Sequence, residues 1–180
     1  MSGDASNARQ WADANVYIAF SLAETIPADI DTAFGAGWDN IGLLNGDSGF
    51  VESREEDQTD FFAWGGLLIR TARRNYVQTH KFTALESSLD VVDRLRYPGS
   101  TNAEIVVPSG NRIEPVMVAF ETIDQAITRR VITRNFAEVT VDGDTTESEQ
   151  ALTEISLMAK IFPDTSGVLF DRQSHEVLSV

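Results

Sequence analysis

Apolar and polar positions alternate with a period of two along most of this chain, and one short stretch changes to a period of three to four. In Val16 to Leu22, the residues Val16, Ile18 and Phe20 fall on one face and Tyr17, Ala19 and Ser21 on the other, the pattern of a half-buried strand. Ile26 to Gly37 contains Pro27, Gly35 and Gly37 without sustained periodicity and is expected as a loop. Trp38 to Leu44 is expected as a second strand, closed by the turn-rich Asn45-Gly46-Asp47-Ser48-Gly49, and Phe50 to Ser53 begins a third.

The piece from Leu67 to Leu85 has no internal Gly or Pro and is rich in Thr, Val, Tyr and Ile. As one unbroken strand it would span about 60 Å, so it must bend, bulge or extend beyond the core. Over Glu86 to Tyr97 the period changes: Leu89, Val92, Asp93 and Arg96 recur three or four apart, Ser87 or Ser88 can cap the start, and Pro98-Gly99 stops the run. This predicts one helix. Strands then return at Ile105 to Val107, Pro115 to Ile123, Val131 to Val141 and Leu152 to Phe162, with a turn at Asp142-Gly143-Asp144. Phe162-Pro163-Asp164 closes the domain, and the alternating His175 to Val180 is expected to add an edge strand. The organisation is an N-terminal arm over residues 1–15, a domain over 16–164 and a C-terminal arm over 165–180. The fold class is mainly β with one flanking helix.

At 180 residues the chain can bury roughly two-thirds of its unfolded surface. The absence of cysteine excludes disulfides, thiolate nucleophiles and sulfur metal sites, and His80 and His175 are too few for a histidine-rich metal centre. No run approaches the roughly 18 to 20 apolar residues of a membrane span, and Met1 to Gln10 lacks the basic-then-apolar order of a secretion signal. A net charge of −14 argues against a protein that grips phosphate backbones through Lys and Arg.

That charge is uneven. Ala23 to Asp60 holds ten acidic residues against Arg54 alone, Phe61 to Arg134 holds seven acidic against ten basic, and Asn135 to Val180 holds nine against two. An acidic beginning and end flanking a basic middle favour head-to-tail contact between copies, or serve only to keep a monomer soluble. The sharpest contrast lies between the acidic segment Glu52, Glu55, Glu56, Asp57 and Asp60 and the basic positions Arg70, Arg73 and Arg74 on the strand that follows the aromatic stop Phe61-Phe62-Ala63-Trp64-Gly65-Gly66. With Arg129, Arg130 and Arg134, these are the candidate inter-subunit contacts. The alternative is that they pair within one subunit or face solvent.

Catalytic chemistry finds little support. Asp39, Asp57 and Asp60 recur with no His, Lys or nucleophile in a pattern that would make an acid/base pair. Asp142, Asp144, Glu147 and Glu149 offer hard oxygen ligands, but lack the glycine and closing glutamate of an EF-hand loop, so a solvated hairpin is the simpler reading and no metal or cofactor is expected. Trp11, Trp38 and Trp64 read as core or interface anchors, and His80, on a polar strand, reads as a surface residue.

The ordered set Gly37-Trp38-Asp39-Asn40-Ile41-Gly42-Leu43-Leu44, Gly49-Phe50-Val51-Glu52, Thr59-Asp60-Phe61-Phe62-Ala63-Trp64-Gly65-Gly66 and His80-Lys81-Phe82-Thr83-Ala84-Leu85-Glu86, with the helix after it, resembles the major tail tube protein of long-tailed bacteriophages, especially those of actinobacteria. Asp142-Gly143-Asp144 and Phe162-Pro163-Asp164-Thr165-Ser166-Gly167 resemble that family's closing pattern, so the likeness covers roughly Val16 to Gly167. The chain departs from it with Asn-Gly-Asp at 45 to 47 and with the polar insertion Asp142 to Gln150.

The resemblance implies two packed β-sheets, as a sandwich or partial barrel, with a flanking helix, a long hairpin loop and extended terminal arms. It implies a structural virion protein rather than an enzyme, made in the bacterial host cytoplasm. Six copies would form a ring, and rings would stack into a hollow tube around a tape-measure protein, with terminator and baseplate proteins at the ends. Double-stranded DNA would pass without specific binding, because acidic groups facing the lumen repel phosphates. The hairpin between rings is expected in the acidic segment Glu52 to Asp60 with the turn before it. A tail terminator or baseplate ring component, or a monomeric β-barrel binding module, are the alternatives.

Overall fold

A computed structural model describes residues 8–87, 90–101, 103–106, 113–125 and 127–176. The described chain is mainly β with one helix, as the alternation predicts. β1 (Asp13–Ala19), β2 (Asp39–Asn40), β5 (Pro115–Asp124), β6 (Ile127–Thr133) and β9 (Phe170–Ser174) form one layer in the order β2-β1-β5-β6-β9. β7 (Phe136–Val141), β8 (Ile155–Phe162), β4 (Leu68–Ala84) and β3 (Val51–Phe62) form the other. The layers are not separate sheets. Pro115 and Val116 of β5 pair with β7, while Ala119 to Asp124 pair with β6, so one antiparallel hydrogen-bonded surface turns back on itself at β5.

The core lies between the layers. Val16, Ile18, Val118 and Phe120 from the first meet Phe82, Val139, Leu157 and Ala159 from the second, all buried and all at alternate positions of their strands. Phe120 contacts Phe82 edge-on at 5.7 Å although β7 and β8 separate their strands, which places the two rings across the layers rather than along one. Helix α1 (Asp90–Arg96) adds Val91, Val92 and Leu95 to this core. Acidic Asp90 and Asp93 in its first turn and Arg94 and Arg96 in its last suit the helix dipole.

The opposite face of the first layer is covered too. Ala19, Trp38, Met117, Ala119 and Ile132 are buried beneath the loop that carries Ile26 and Phe34. Arg130 fastens that loop: it pairs with Glu121 at 2.7 Å, donates to the Thr32 carbonyl at 3.1 Å and lies 4.4 Å over the Phe34 ring. Gln173 donates to the Pro27 carbonyl at 2.6 Å, and the Trp38 indole donates to the Thr25 carbonyl. A segment without periodicity is therefore held by specific polar clamps.

Several expected boundaries move. The stretch Val131 to Val141 is two strands, β6 and β7, broken at Arg134-Asn135 because the halves pair with different neighbours as the sheet turns its corner. Of Trp38 to Leu44, Asp39–Asn40 forms the ladder with β1 and the Ile41 amide adds a bond to the Val16 carbonyl at 3.0 Å, before Gly42 takes a positive φ of 84°. The helix begins at Asp90, four residues later than expected, with Ser88 and Leu89 outside the described residues. Ile105 and Val106 are not strand, and Val107 lies outside the description. Of the stretch expected as a C-terminal arm, Phe170–Ser174 is the edge strand β9, while residues 177–180 lie outside the description.

Candidate functional site

β3 and β4 run together far past the body. β8 pairs with Gln78 to Ala84 of β4, so among the described residues the ten from Leu68 to Val77 are partnered by β3 alone and carry the ribbon roughly 30 Å outward. Two irregularities bend it. Asn75 and Tyr76 stand together opposite Glu56, with Asn75 at a φ of 55°, and a second register shift falls between Phe61 and Phe62. Bulges of this kind increase twist and re-aim a strand. The long strand thus combines the bulge and the extension that its length required.

The turn closes at Ala63 to Leu67, where the Ala63 amide donates to the Leu67 carbonyl at 2.8 Å and Gly65 and Gly66 take φ values of 93° and 83° that favour glycine. The reversal follows the acidic segment rather than preceding it, so the expected aromatic stop is the hairpin's tip. Its apolar side chains are exposed: Trp64 fully, Leu67 at 71%, Ile69 at 67% and Phe62 at 59%, with Phe61 and Leu68 about half exposed. Phe61 and Phe62 alternate, so both faces of the ribbon are apolar at its end.

Behind the tip the charges partly satisfy one another. Arg73 pairs with Glu56 at 3.3 Å, Asp57 accepts from the Asn75 amide at 2.8 Å, Asp60 accepts from the Thr71 hydroxyl at 2.6 Å, and Arg54 pairs with Glu52 at 2.5 Å. Glu55, Arg70 and Arg74 are exposed on the same ribbon. The expected group thus divides in two. Glu52, Glu55, Glu56, Asp57, Asp60, Arg70, Arg73 and Arg74 share the hairpin, whereas Arg129, Arg130 and Arg134 lie in and just after β6 with partners of their own.

Arg130 is 5% exposed and committed to Glu121, so it is a clamp inside the subunit and not an available contact. Arg129 pairs with Glu176 at 2.9 Å and lies 4.8 Å over Trp11, and Arg134 pairs with Asp171 at 3.2 Å. Hydrogen bonds from Arg129 and Arg9 hold the Glu176 carboxyl below the usual carboxylate range.

At the root of the hairpin the layers part around a cleft of about 1230 Å³. Phe82, Phe120, Val131 and Phe170 line it, with Phe50, Glu52 and Arg54 of the hairpin side on one wall and Thr122, Arg129 and Arg172 on the other. His80 stands inside, 7% exposed, stacked on Phe120 at 4.8 Å and edge-on to Phe170 at 5.1 Å. The expectation of a surface histidine is corrected by strand parity: His80 shares a face with the buried Phe82 and Ala84. That parity was readable in the sequence but was masked by the polar residues around it. Burial pushes the imidazole below its ordinary pKa, nearby Arg54 acts in the same direction, and Glu52 opposes them.

Among the described residues no three His, Asp or Glu side chains group as a metal site. Asp142 pairs instead with Lys81 at 2.6 Å. No described helix is long and apolar enough to cross a membrane. Compared with models of known protein families the chain matches none, and a comparison with curated proteins returns no match.

Proposed function

We propose that this chain is a self-assembling structural subunit, the major tail tube protein of a long-tailed bacteriophage. Six copies form a ring, rings stack into the hollow tail of the virion, a tape-measure protein occupies the lumen during assembly, and terminator and baseplate proteins bound the tube. The DNA passes through without adhering to an acidic wall.

The observation that carries the reading is the projecting hairpin. A two-stranded ribbon is marginally stable by itself in water, and this one ends in exposed aromatic and aliphatic side chains on both faces. Both properties are met by a neighbouring subunit. Among the described residues β3 and β9 each pair on one side, and these edges support the ring step, since pairing edges between neighbours satisfies their backbone groups and ring closure removes them. The hairpin charges, exposed and worth about 0–1 kcal/mol per pair, set register more than strength.

Negative-stain electron microscopy of the purified protein, fresh and after concentration, tests this. Hollow tubes with a regular axial repeat are expected. Isolated rings would indicate a terminator or baseplate component, and monomers that persist even with a tail-tip complex as nucleus would overturn the reading in favour of a binding module built on the cleft.

A further inference from the structure

We infer that Asn45-Gly46 is a self-modification site, where the Asn45 side-chain amide is lost by attack of the next backbone nitrogen, and that the turn 45–49 and Glu154 hold this chemistry in check. The inference is independent of the assembly proposed above.

The reaction needs only water. The Gly46 backbone nitrogen bonds to the Asn45 side-chain carbonyl carbon, the bond from that carbon to Nδ2 breaks, and Nδ2 leaves as ammonia with the proton given up by Gly46. Water then opens the five-membered imide at one of its two carbonyls and leaves aspartate, or isoaspartate with the main chain rerouted through the side chain. A side chain on the attacking residue crowds the ring as it closes, and Asn45 is the only asparagine of this chain followed by glycine. Gly46 is exposed, with no atom within 4 Å of where a Cβ would stand, and among the described residues its amide donates to no protein acceptor. The attacking nitrogen is thus open to solvent.

The restraint lies in what the Asn45 amide already holds. Its Oδ1 accepts from the Asp47 amide at 2.8 Å and the Ser48 amide at 3.3 Å, and its Nδ2 donates to the Glu154 carboxylate, just before β8, at 2.8 Å. The main chain is fixed as well, since the Asn45 amide donates to the Thr83 carbonyl at 2.9 Å and the Asn45 carbonyl accepts from the Gly49 amide at 3.3 Å. Turning the side-chain carbonyl carbon onto the Gly46 nitrogen breaks these side-chain bonds, so the step waits on local opening. The product cannot close the same way. Aspartate at 45 sets a carboxylate against Glu154 in place of a donor, and isoaspartate adds a backbone atom to the turn. Either change loosens the loop that leads into β3 at the hairpin root.

Incubation at neutral pH, with peptide mass spectrometry reading amide-to-acid conversion at Asn45, tests both parts. Conversion should run on the order of tenfold faster in guanidinium chloride than in the native protein, where the turn must first open. In native buffer Glu154→Ala should accelerate it roughly two- to tenfold, the factor that one hydrogen bond holds back, while Glu154→Gln, which keeps an acceptor, should stay near the native rate. Gly46→Ala should slow it under every condition. No conversion in denaturant overturns the site, and equal native and denatured rates, or an unchanged rate in Glu154→Ala, overturn the restraint. As a second test, Asn45→Asp should speed limited proteolysis within 45–49, and Glu154→Gln in the same chain should reverse this by giving the new carboxylate a donor; a cleavage rate indifferent to both counts against the inference.

Discussion

His80 lies against Phe120 across the gap between the two layers, ring centroids 4.8 Å apart and planes inclined by 29°. The Gln78 amide nitrogen, 3.0 Å from Nε2, also donates to Glu52 at 2.9 Å, while the Gln78 carbonyl oxygen accepts from the Tyr76 hydroxyl. This arrangement makes Nε2 an acceptor and puts the imidazole proton on Nδ1. The chain Arg54–Glu52–Gln78–His80 therefore joins the hairpin root to the interior through a neutral imidazole.

That imidazole makes stability depend on pH. Its pKa in the folded state is depressed, so between the ordinary value of about 6.5 and the lower folded value the unfolded chain binds more protons than the native one. Stability is full above about 6.5 and falls as pH drops through this window. Urea denaturation at pH 7.5 and 5.5 should show the loss, and His80→Leu should flatten the profile. An unchanged slope in that variant would assign the dependence elsewhere.

Arg130→Met should be among the most destabilising single changes outside the apolar core. It leaves Glu121, 6% exposed, without its partner and releases the Thr32 carbonyl and the Phe34 ring. Breaking one side of a buried pair costs about 3–5 kcal/mol, whereas the double replacement Glu121→Leu with Arg130→Met should recover most of it. Denaturant midpoints measure the cost, and limited proteolysis near Asp31 should accelerate in the single variant as the loop is freed.

Thr133→Val tests the corner of the sheet. Where β5 changes partner from β6 to β7, the Val118 amide finds no carbonyl and donates to the Thr133 hydroxyl at 2.8 Å, with Thr133 fully buried. Valine preserves shape but orphans the amide, so a loss of about 1–3 kcal/mol is expected in thermal or urea unfolding. Thr133→Ser should retain most of that stability by keeping the oxygen.

Trp64→Ser combined with Leu67→Ser separates folding from assembly. Both side chains are exposed at the tip and touch no core cluster, so the free energy of unfolding should shift by no more than about 0.5 kcal/mol. Sedimentation velocity should nonetheless show self-association strongly weakened. Unaltered association would remove the tip from the interface.

Much of this architecture was legible in the alternation. The buried faces of β1 and β8 follow Val16 and Ile18, and Ile155, Leu157 and Ala159, because a side-chain period of two leaves no choice once one face is apolar, whereas β5 is buried on both faces from Val116 to Glu121. The excess length of Leu67 to Leu85 foretold a strand that outruns its body. The charge contrast marks the acidic and basic segments as contact elements between copies, but β3 and β4 pair with each other within one subunit and the turn joining them follows the acidic run. His80 and Arg130 are buried against expectation for a shared reason: a polar residue's burial depends on partners distant in the chain, here Phe120 and Phe170 for one and Glu121, Thr32 and Gln173 for the other.

By itself, then, the sequence determined a mainly β chain with one helix, an acidic net charge, no thiol chemistry and two oppositely charged segments side by side, all consequences of local periodicity and composition. Only the tertiary structure decided that the two layers are one surface folded at β5, that the tip aromatics stand in solvent, and that a cleft opens where the hairpin leaves the body. Those outcomes follow from which strands pair and how far each outlasts its neighbour, and pairing over long separations is a property of the whole chain rather than of any window within it.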